Sequence, residues 1–183
     1  MRRRITRRRA RLLAGVVAAV AVIVVLLMTG LSRDPSVIAS PLVGRLAPNF
    51  TLPQLDGPPV TLSKLRGQVV VINFWASWCA ECRVEQAALN QTWQQFQDSG
   101  VVVIGVNFED STGAARDYVR AKDVTYPVVE DAGSKTALAY GLRGVPETFV
   151  VNRSGHIVRH VIGPVSAAAL TSEINSVLLT GAQ

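Results

Sequence analysis

The chain contains two cysteines, and both fall in the run "WASWCAEC", where Cys79 and Cys82 stand three positions apart. A bridge between them would close a very short loop, which restrains the unfolded chain little and makes a poor structural staple. On a helix, residues i and i+3 bring their Cβ atoms to about 5–6 Å, a small adjustment away from disulfide geometry. Such a pair can open and close without refolding, which is what thiol–disulfide exchange requires. Two other readings compete. One is an inert disulfide. The other is half of a metal site, whose remaining ligands would have to come from His156 and His160, the two histidines of the chain. Those histidines are four apart on a predicted strand and so share a face, where two solvent-facing polar residues are the plain expectation. No metal ligand set and no cofactor is assigned.

The elements that must position the thiols are legible on both sides of them. "VVVINFW", Val69 to Trp75, is β-branched and apolar almost throughout, the pattern of a central strand buried on both faces. After the cysteines the period turns helical, with Leu89, Trp93 and Phe96 at spacings of four and three, and the helix is expected to end near Gly100. "VVVIGVNF", Val101 to Phe108, reads as a second buried strand, so residues 69–108 form one right-handed βαβ unit. Upstream, "FTLPQL" and "PVTLS" flank the turn residues "DGPP" and predict a hairpin. Downstream come a helix from about Thr112 to Lys122, which leads to "YPVVED", a short helical run around Ser134 to Tyr140, the strands "ETFVVN" and "HIVRHVIG" joined at "RSG", and a last helix from about Ser166 to Leu179. A parallel start with an antiparallel end gives an α/β fold, a mixed central sheet flanked by helices.

On this layout Cys79 lies just past the carboxyl end of a buried strand, at the first turn of the following helix. Unpaired amides and the positive end of the helix dipole favour its thiolate there. Cys79 would attack and Cys82, one turn on, would resolve the mixed disulfide. Residues 82, 85, 89, 93 and 96 fall on one stripe, which places Glu85 on the buried face with Cys82. A desolvated carboxyl there has a raised pKa and suits proton exchange with Cys82, whereas a glutamate that snorkels to water has no such role; both readings stand. Pro146 in "RGVPETF" sits at a strand entrance, as prolines in sheets do.

The charge is concentrated at one end. Seven of the nineteen Lys and Arg residues lie in "MRRRITRRRAR"; beyond Arg11, twelve basic residues face thirteen acidic ones, a net of −1. A domain so balanced lacks the basic footprint that nucleic acid calls for. Directly after the arginines, Leu12 to Leu31 carries no charge over twenty residues. At about 1.5 Å per residue this spans a hydrocarbon core of roughly 30 Å, and it exceeds the about 7–15 apolar residues of a cleaved signal peptide. The arginines hold the N-terminus in the cytoplasm. The expected organisation is a cytoplasmic basic segment (1–11), a single transmembrane anchor (12–31), a linker (32–41) and an extracytoplasmic domain (42–183).

"APNFTLPQLDG", "VVVINFWASWCAECRVE", "VIGVNFED" and "GVPETFVVNRSGHI", in that order, resemble the thioredoxin superfamily and, within it, the membrane-anchored TlpA, ResA and CcmG (DsbE) group, over residues of about 42–180. The first stretch also occurs in peroxiredoxins. The resemblance implies a thioredoxin fold with an N-terminal β-hairpin and an inserted helical segment at about residues 109–140. It implies a cis Pro146 facing Cys79 and Cys82, a substrate-binding surface of Trp78, Val145 and Pro146 in which Val145 offers backbone pairing, and an acidic residue three after the second cysteine, matched by Glu85. It further implies reduction of the haem-attachment cysteines of apocytochrome c, or of another extracytoplasmic thiol protein, with re-reduction by a CcdA- or DsbD-like membrane protein. Ala80 and Glu81 depart from the pattern, since a proline commonly occupies one of these positions; an acidic Glu81 beside the thiolate points toward a reductant. An anchored oxidant of secreted proteins and a copper-handling module built on both cysteines with His156 or His160 are the competing functions. "WASWC" lacks the threonine-to-cysteine spacing that activates a peroxidatic thiol, which sets a peroxidase aside.

Overall fold

The computed structural model describes residues 14–22 and 40–180. Residues 14–22 form a helix, α1, inside the expected anchor. The rest of that span, the basic segment and residues 32–39 of the expected linker lie outside the described residues. No helix among the described residues is long and apolar enough to cross a membrane.

The domain is built on β3 (Val69–Trp75), buried along its whole length. It pairs in parallel with β4 (Val101–Asn107), Val69 opposite Val101, and antiparallel with β6 (Glu147–Val151), Asn73 opposite Thr148. With β5 (Val128–Glu130) beyond β4 and β7 (Ile157–Ile162) beyond β6, the sheet order is β5-β4-β3-β6-β7, the mixed sheet of a thioredoxin fold. Alternation along β3 divides its side chains between two layers. Val69, Val71 and Trp75 pack with Leu89 of α2 (Ala80–Phe96), Ala115 and Tyr118 of α3 (Thr112–Ala121), and Leu170 and Ile174 of α5 (Ala167–Thr180). Val70, Ile72 and Phe74 pack instead with Phe149, Ile157, Tyr140 and Ala137, the last from α4 (Lys135–Ala139). Each such fully buried Val, Ile or Phe contributes about 1.5–3 kcal/mol. Gly105, on β4, is required by close approach: a Cβ there would stand 2.9 Å from Nε1 of Trp75.

Three expectations need correction. On α2 the buried positions are 82, 85, 86, 89, 92 and 96, so Thr92 faces the core and Trp93 is half-buried at its rim. A strict three-four repeat from Cys82 arrives at 92, and the apolar character of Trp93 drew the stripe one residue too far. The inserted segment is not wholly helical, because β5 lies between α3 and α4 and extends the main sheet. Finally, "FTLPQL" divides its pairing. β1 (Thr51–Leu52) meets β2 (Val60–Thr61) as expected, with Thr51 opposite Thr61. Proline at 53, 58 and 59 removes ladder donors and keeps that hairpin short. The residues after Pro53 turn to β5 instead: Leu55 N–H donates to Val128 O at 2.9 Å and Glu130 N–H to Pro53 O at 3.0 Å. At the far side of the sheet, Gly44 N–H donates to Ile157 O at 2.8 Å and Ile157 N–H to Arg45 O at 2.9 Å.

Candidate active site

Helix α2 starts where β3 runs out, and Cys79 is its N-cap. Cys79 and Cys82 are joined in a disulfide with Cα atoms 5.3 Å apart, and the Cys82 N–H donates to the Cys79 sulfur at 3.0 Å. The helix-terminal amide expected to favour a Cys79 thiolate is therefore directed at that sulfur. Both cysteines are buried, Cys79 at 5 % exposure and Cys82 at 1 %, so Cys79 is the one nearer solvent. The Cys79 sulfur lies 3.6 Å from the Val145 carbonyl oxygen, and the Val145–Pro146 peptide is cis. Residues 66 positions apart in sequence thus meet at the sulfur. Trp78 is 57 % exposed beside them.

Glu85 is inside. It is 1 % exposed, with Oε1 accepting from Asn73 Nδ2 at 2.8 Å and Oε2 from the Val165 N–H at 2.9 Å. The snorkelling reading is excluded by that burial. Desolvation pushes its carboxyl up to about 7; the bonds from Val165 and Asn73 pull the other way without cancelling it, and the charge of Glu81 adds to the rise. A group that changes protonation near neutrality, one turn below Cys82, can take or return a thiol proton. Tyr118 closes the same side, donating its hydroxyl to the Cys82 carbonyl at 3.2 Å and stacking on Trp75 with ring centroids 4.6 Å apart.

The turn ahead of the cysteines is held by Asp110, which sequence reasoning did not single out. Its carboxylate accepts from the Ser77 N–H at 2.6 Å, the Ser77 hydroxyl at 3.0 Å, Asn107 Nδ2 at 3.1 Å and the Ser111 N–H at 2.9 Å. Burial raises its pKa, but these donors outweigh it and hold the carboxyl below the usual range. Trp78 Nε1 donates to the Glu109 carbonyl at 2.9 Å, and Arg83 Nη2 donates to the Ser77 carbonyl at 2.7 Å. An open cleft of about 640 Å³ beside Trp78 is walled by Glu109, Asp110, Glu130 and Asp131.

The histidines correct a further expectation. His156 precedes β7, with Nδ1 3.0 Å from the Ser154 hydroxyl. A register shift between Val150 and Val151 separates it from His160, so the two do not form a pair on one wet face. The side chain of His160 is 5 % exposed; Nε2 lies 2.6 Å from Glu147 Oε2 and its ring stacks on Phe149 at 4.0 Å. The other oxygen of Glu147 accepts from the N–H groups of Arg143 and Gly144 at 2.8 and 3.2 Å. Glu147 therefore braces the loop that carries Val145 and Pro146 from behind. Among the described residues no group of three or more His, Cys, Asp or Glu comes together to hold a metal ion, which leaves the copper reading without a ligand set there.

Comparison with known proteins agrees with this geometry. Residues 43–160 match the AhpC/TSA family, a stretch that takes in both "APNFTLPQLDG" and the cysteine pair. The thiol:disulfide interchange protein DsbE of Allochromatium vinosum is 40 % identical over 157 residues, covering 84 % of each chain. The thiol-disulfide oxidoreductase ResA of Bacillus subtilis is 32 % identical over 132 residues, 72 % of this chain and 74 % of that one. A crystal structure from Chlorobium tepidum assigned as a DsbE thiol:disulfide interchange protein superposes with a TM-score of 0.68 at 32 % identity, over 73 % of this chain and 95 % of that one. With a match over most of the folded domain and relatives named for thiol–disulfide interchange, the chain belongs to the AhpC/TSA family of thioredoxin-like proteins as a thiol-disulfide oxidoreductase.

Proposed function

We propose that this oxidoreductase is an anchored, extracytoplasmic reductant whose substrate is the disulfide between the haem-attachment cysteines of apocytochrome c. The observation that carries the reading is the Cys79–Cys82 pair at the start of α2 with Glu85 buried one turn below it. The resemblance to the ResA and CcmG group supports the substrate. The twenty uncharged residues from Leu12 to Leu31 behind seven arginines support a single-pass anchor with an inward N-terminus, and the domain division at residues 11, 31 and 41 follows from it.

In the reduced enzyme the Cys79 thiolate attacks one sulfur of the substrate disulfide, and the displaced substrate thiolate takes up a proton. The resulting mixed disulfide lies against Val145, whose backbone pairs with the extended substrate, with Pro146 and Trp78 flanking it. Glu85 accepts the Cys82 proton; the Cys82 thiolate attacks the Cys79 sulfur, and the second substrate thiolate leaves and is protonated. The substrate gains two electrons and two protons, and the enzyme ends in the Cys79–Cys82 disulfide. A membrane dithiol protein of the CcdA or DsbD kind restores the thiols.

The test is the reduction potential of the pair in the full-length protein. A value near or below about −270 mV fits a reductant, and one near about −120 mV would make the protein an oxidant of secreted chains and overturn the proposal. With apocytochrome c as substrate, Cys79→Ser is expected to abolish exchange and Cys82→Ser to accumulate the mixed disulfide. Equal residual turnover in both variants would contradict the assigned order of attack.

A further inference from the structure

Both carboxylate oxygens of Glu85 face hydrogen-bond donors: Oε1 meets Asn73 Nδ2, and Oε2 meets the Val165 N–H. A proton on Oε1 would stand donor to donor against the Asn73 amide. The Oε1 contact therefore suits the ionised acid, yet a group that passes protons must be accommodated in both states.

Asn73 has the means to serve both. It sits mid-strand on β3 between Gly105 and Thr148 and is 1 % exposed. Its Nδ2 spends one proton on Glu85 and the other on Thr148 Oγ1 at 3.0 Å, while its Oδ1 is buried with no hydrogen-bond partner. A buried carbonyl left unpaired calls for an explanation. Turning the carboxamide by half a revolution puts Oδ1 where Nδ2 now stands. There it accepts from a protonated Glu85 Oε1 and from the Thr148 hydroxyl, which exchanges its role of acceptor for that of donor. The unpaired group then moves from Oδ1 to Nδ2, and every other contact is kept.

We infer that Asn73, with Thr148, is a positioning residue that follows the charge of Glu85, presenting its N–H to the carboxylate and its carbonyl to the acid. A carboxamide can present either a donor or an acceptor toward Glu85 by turning about one bond, whereas Leu offers neither. The inference rests on the reading of Glu85 as the proton acceptor for Cys82. The titratable groups around Glu85 are Glu81, Cys79 and Cys82 on α2, Tyr118 on α3 and Tyr126 ahead of β5. Tyr118 is raised to about 12 and Tyr126 higher still, chiefly by burial, so both stay neutral through the range in which Glu85 changes state. From the sheet and from the chain entering α5, the groups facing it are the Asn73 amide, the Thr148 hydroxyl and the Val165 N–H, none of which titrates.

The experiment follows the carboxyl carbon of Glu85 and the side-chain amide of Asn73 by NMR against pH in the full-length, oxidised protein, where the disulfide keeps both cysteines from titrating. The Asn73 amide signals are expected to move with the same midpoint as Glu85. In Asn73→Leu the Glu85 midpoint is expected to rise by roughly one pH unit, a tenfold gain in proton affinity. Amide signals that stay fixed while Glu85 titrates overturn the inference even if the Leu variant does not fold, and so does an unmoved midpoint in a folded Leu variant. Failure of the parent reading looks different: Glu85→Gln would then leave the pH profile of thiol exchange unchanged, whatever the amide does.

Discussion

Two glutamates in this domain are buried to the same degree, Glu85 at 1 % and Glu147 at 0 % exposure, on opposite faces of the sheet. Glu85 has two hydrogen bonds and no counter-charge, and desolvation dominates its state. Glu147 has two backbone donors and a histidine, so both of its oxygens are engaged in hydrogen bonds to one loop and one strand. Burial alone thus does not give a carboxyl group its task. The partners do: those of Glu85 leave desolvation dominant beside the cysteines, and those of Glu147 commit it to holding a loop.

That contrast can be broken most forcefully at Glu147. Glu147→Ala leaves buried His160 and the N–H groups of Arg143 and Gly144 without their acceptor, and a loss of about 3–5 kcal/mol in chemical denaturation is expected. A loss below 1 kcal/mol would mean that the brace is dispensable. Glu85 should show itself through pH instead. Its folded pKa is near 7 and its unfolded value 4.5, so between these the folded state binds more protons, and stability falls as pH rises. The full swing is on the order of 3 kcal/mol, and Glu85→Gln should flatten it. Asp110, held low, acts in the opposite sense, its contribution being lost as pH falls from 3.8 downward, so the two windows do not overlap. The smallest effect separates the two roles of His160. His160→Ala should cost about 1–3 kcal/mol by leaving Glu147 Oε2 unpaired, and His160→Gln, which keeps a donor, less than about 1 kcal/mol. Equal losses would show that the ring stack on Phe149 matters more than the bond.

The βαβ frame was legible because long β-branched runs and a three-four helical repeat are local signals; β3 falls at Val69–Trp75, the bounds its composition predicts. Glu85 was legible for the same reason, since its place follows from its spacing to Cys82 and Leu89. Asp110 and His160 were not. Asp110 acts 33 residues away on Ser77, and nothing in "NFEDS" announces that target. His160 was misplaced because strict alternation was carried through a β-bulge that breaks it, and its partner Glu147 stands across the strand pair in a register that only the folded sheet defines.

The stretch from Gly44 to Leu55 pairs with β7 at one border of the main sheet and with β5 at the other. An unpaired border strand is a ready template for pairing with another chain. One continuous segment meets the start of β7 at one border and β5 at the other, and four prolines in it and in the turn that follows, at 48, 53, 58 and 59, deny further donors. Trimming the domain to its cysteine-bearing core would therefore bare the border of β5 and the start of β7 along with removing a stretch that contributes no catalytic group.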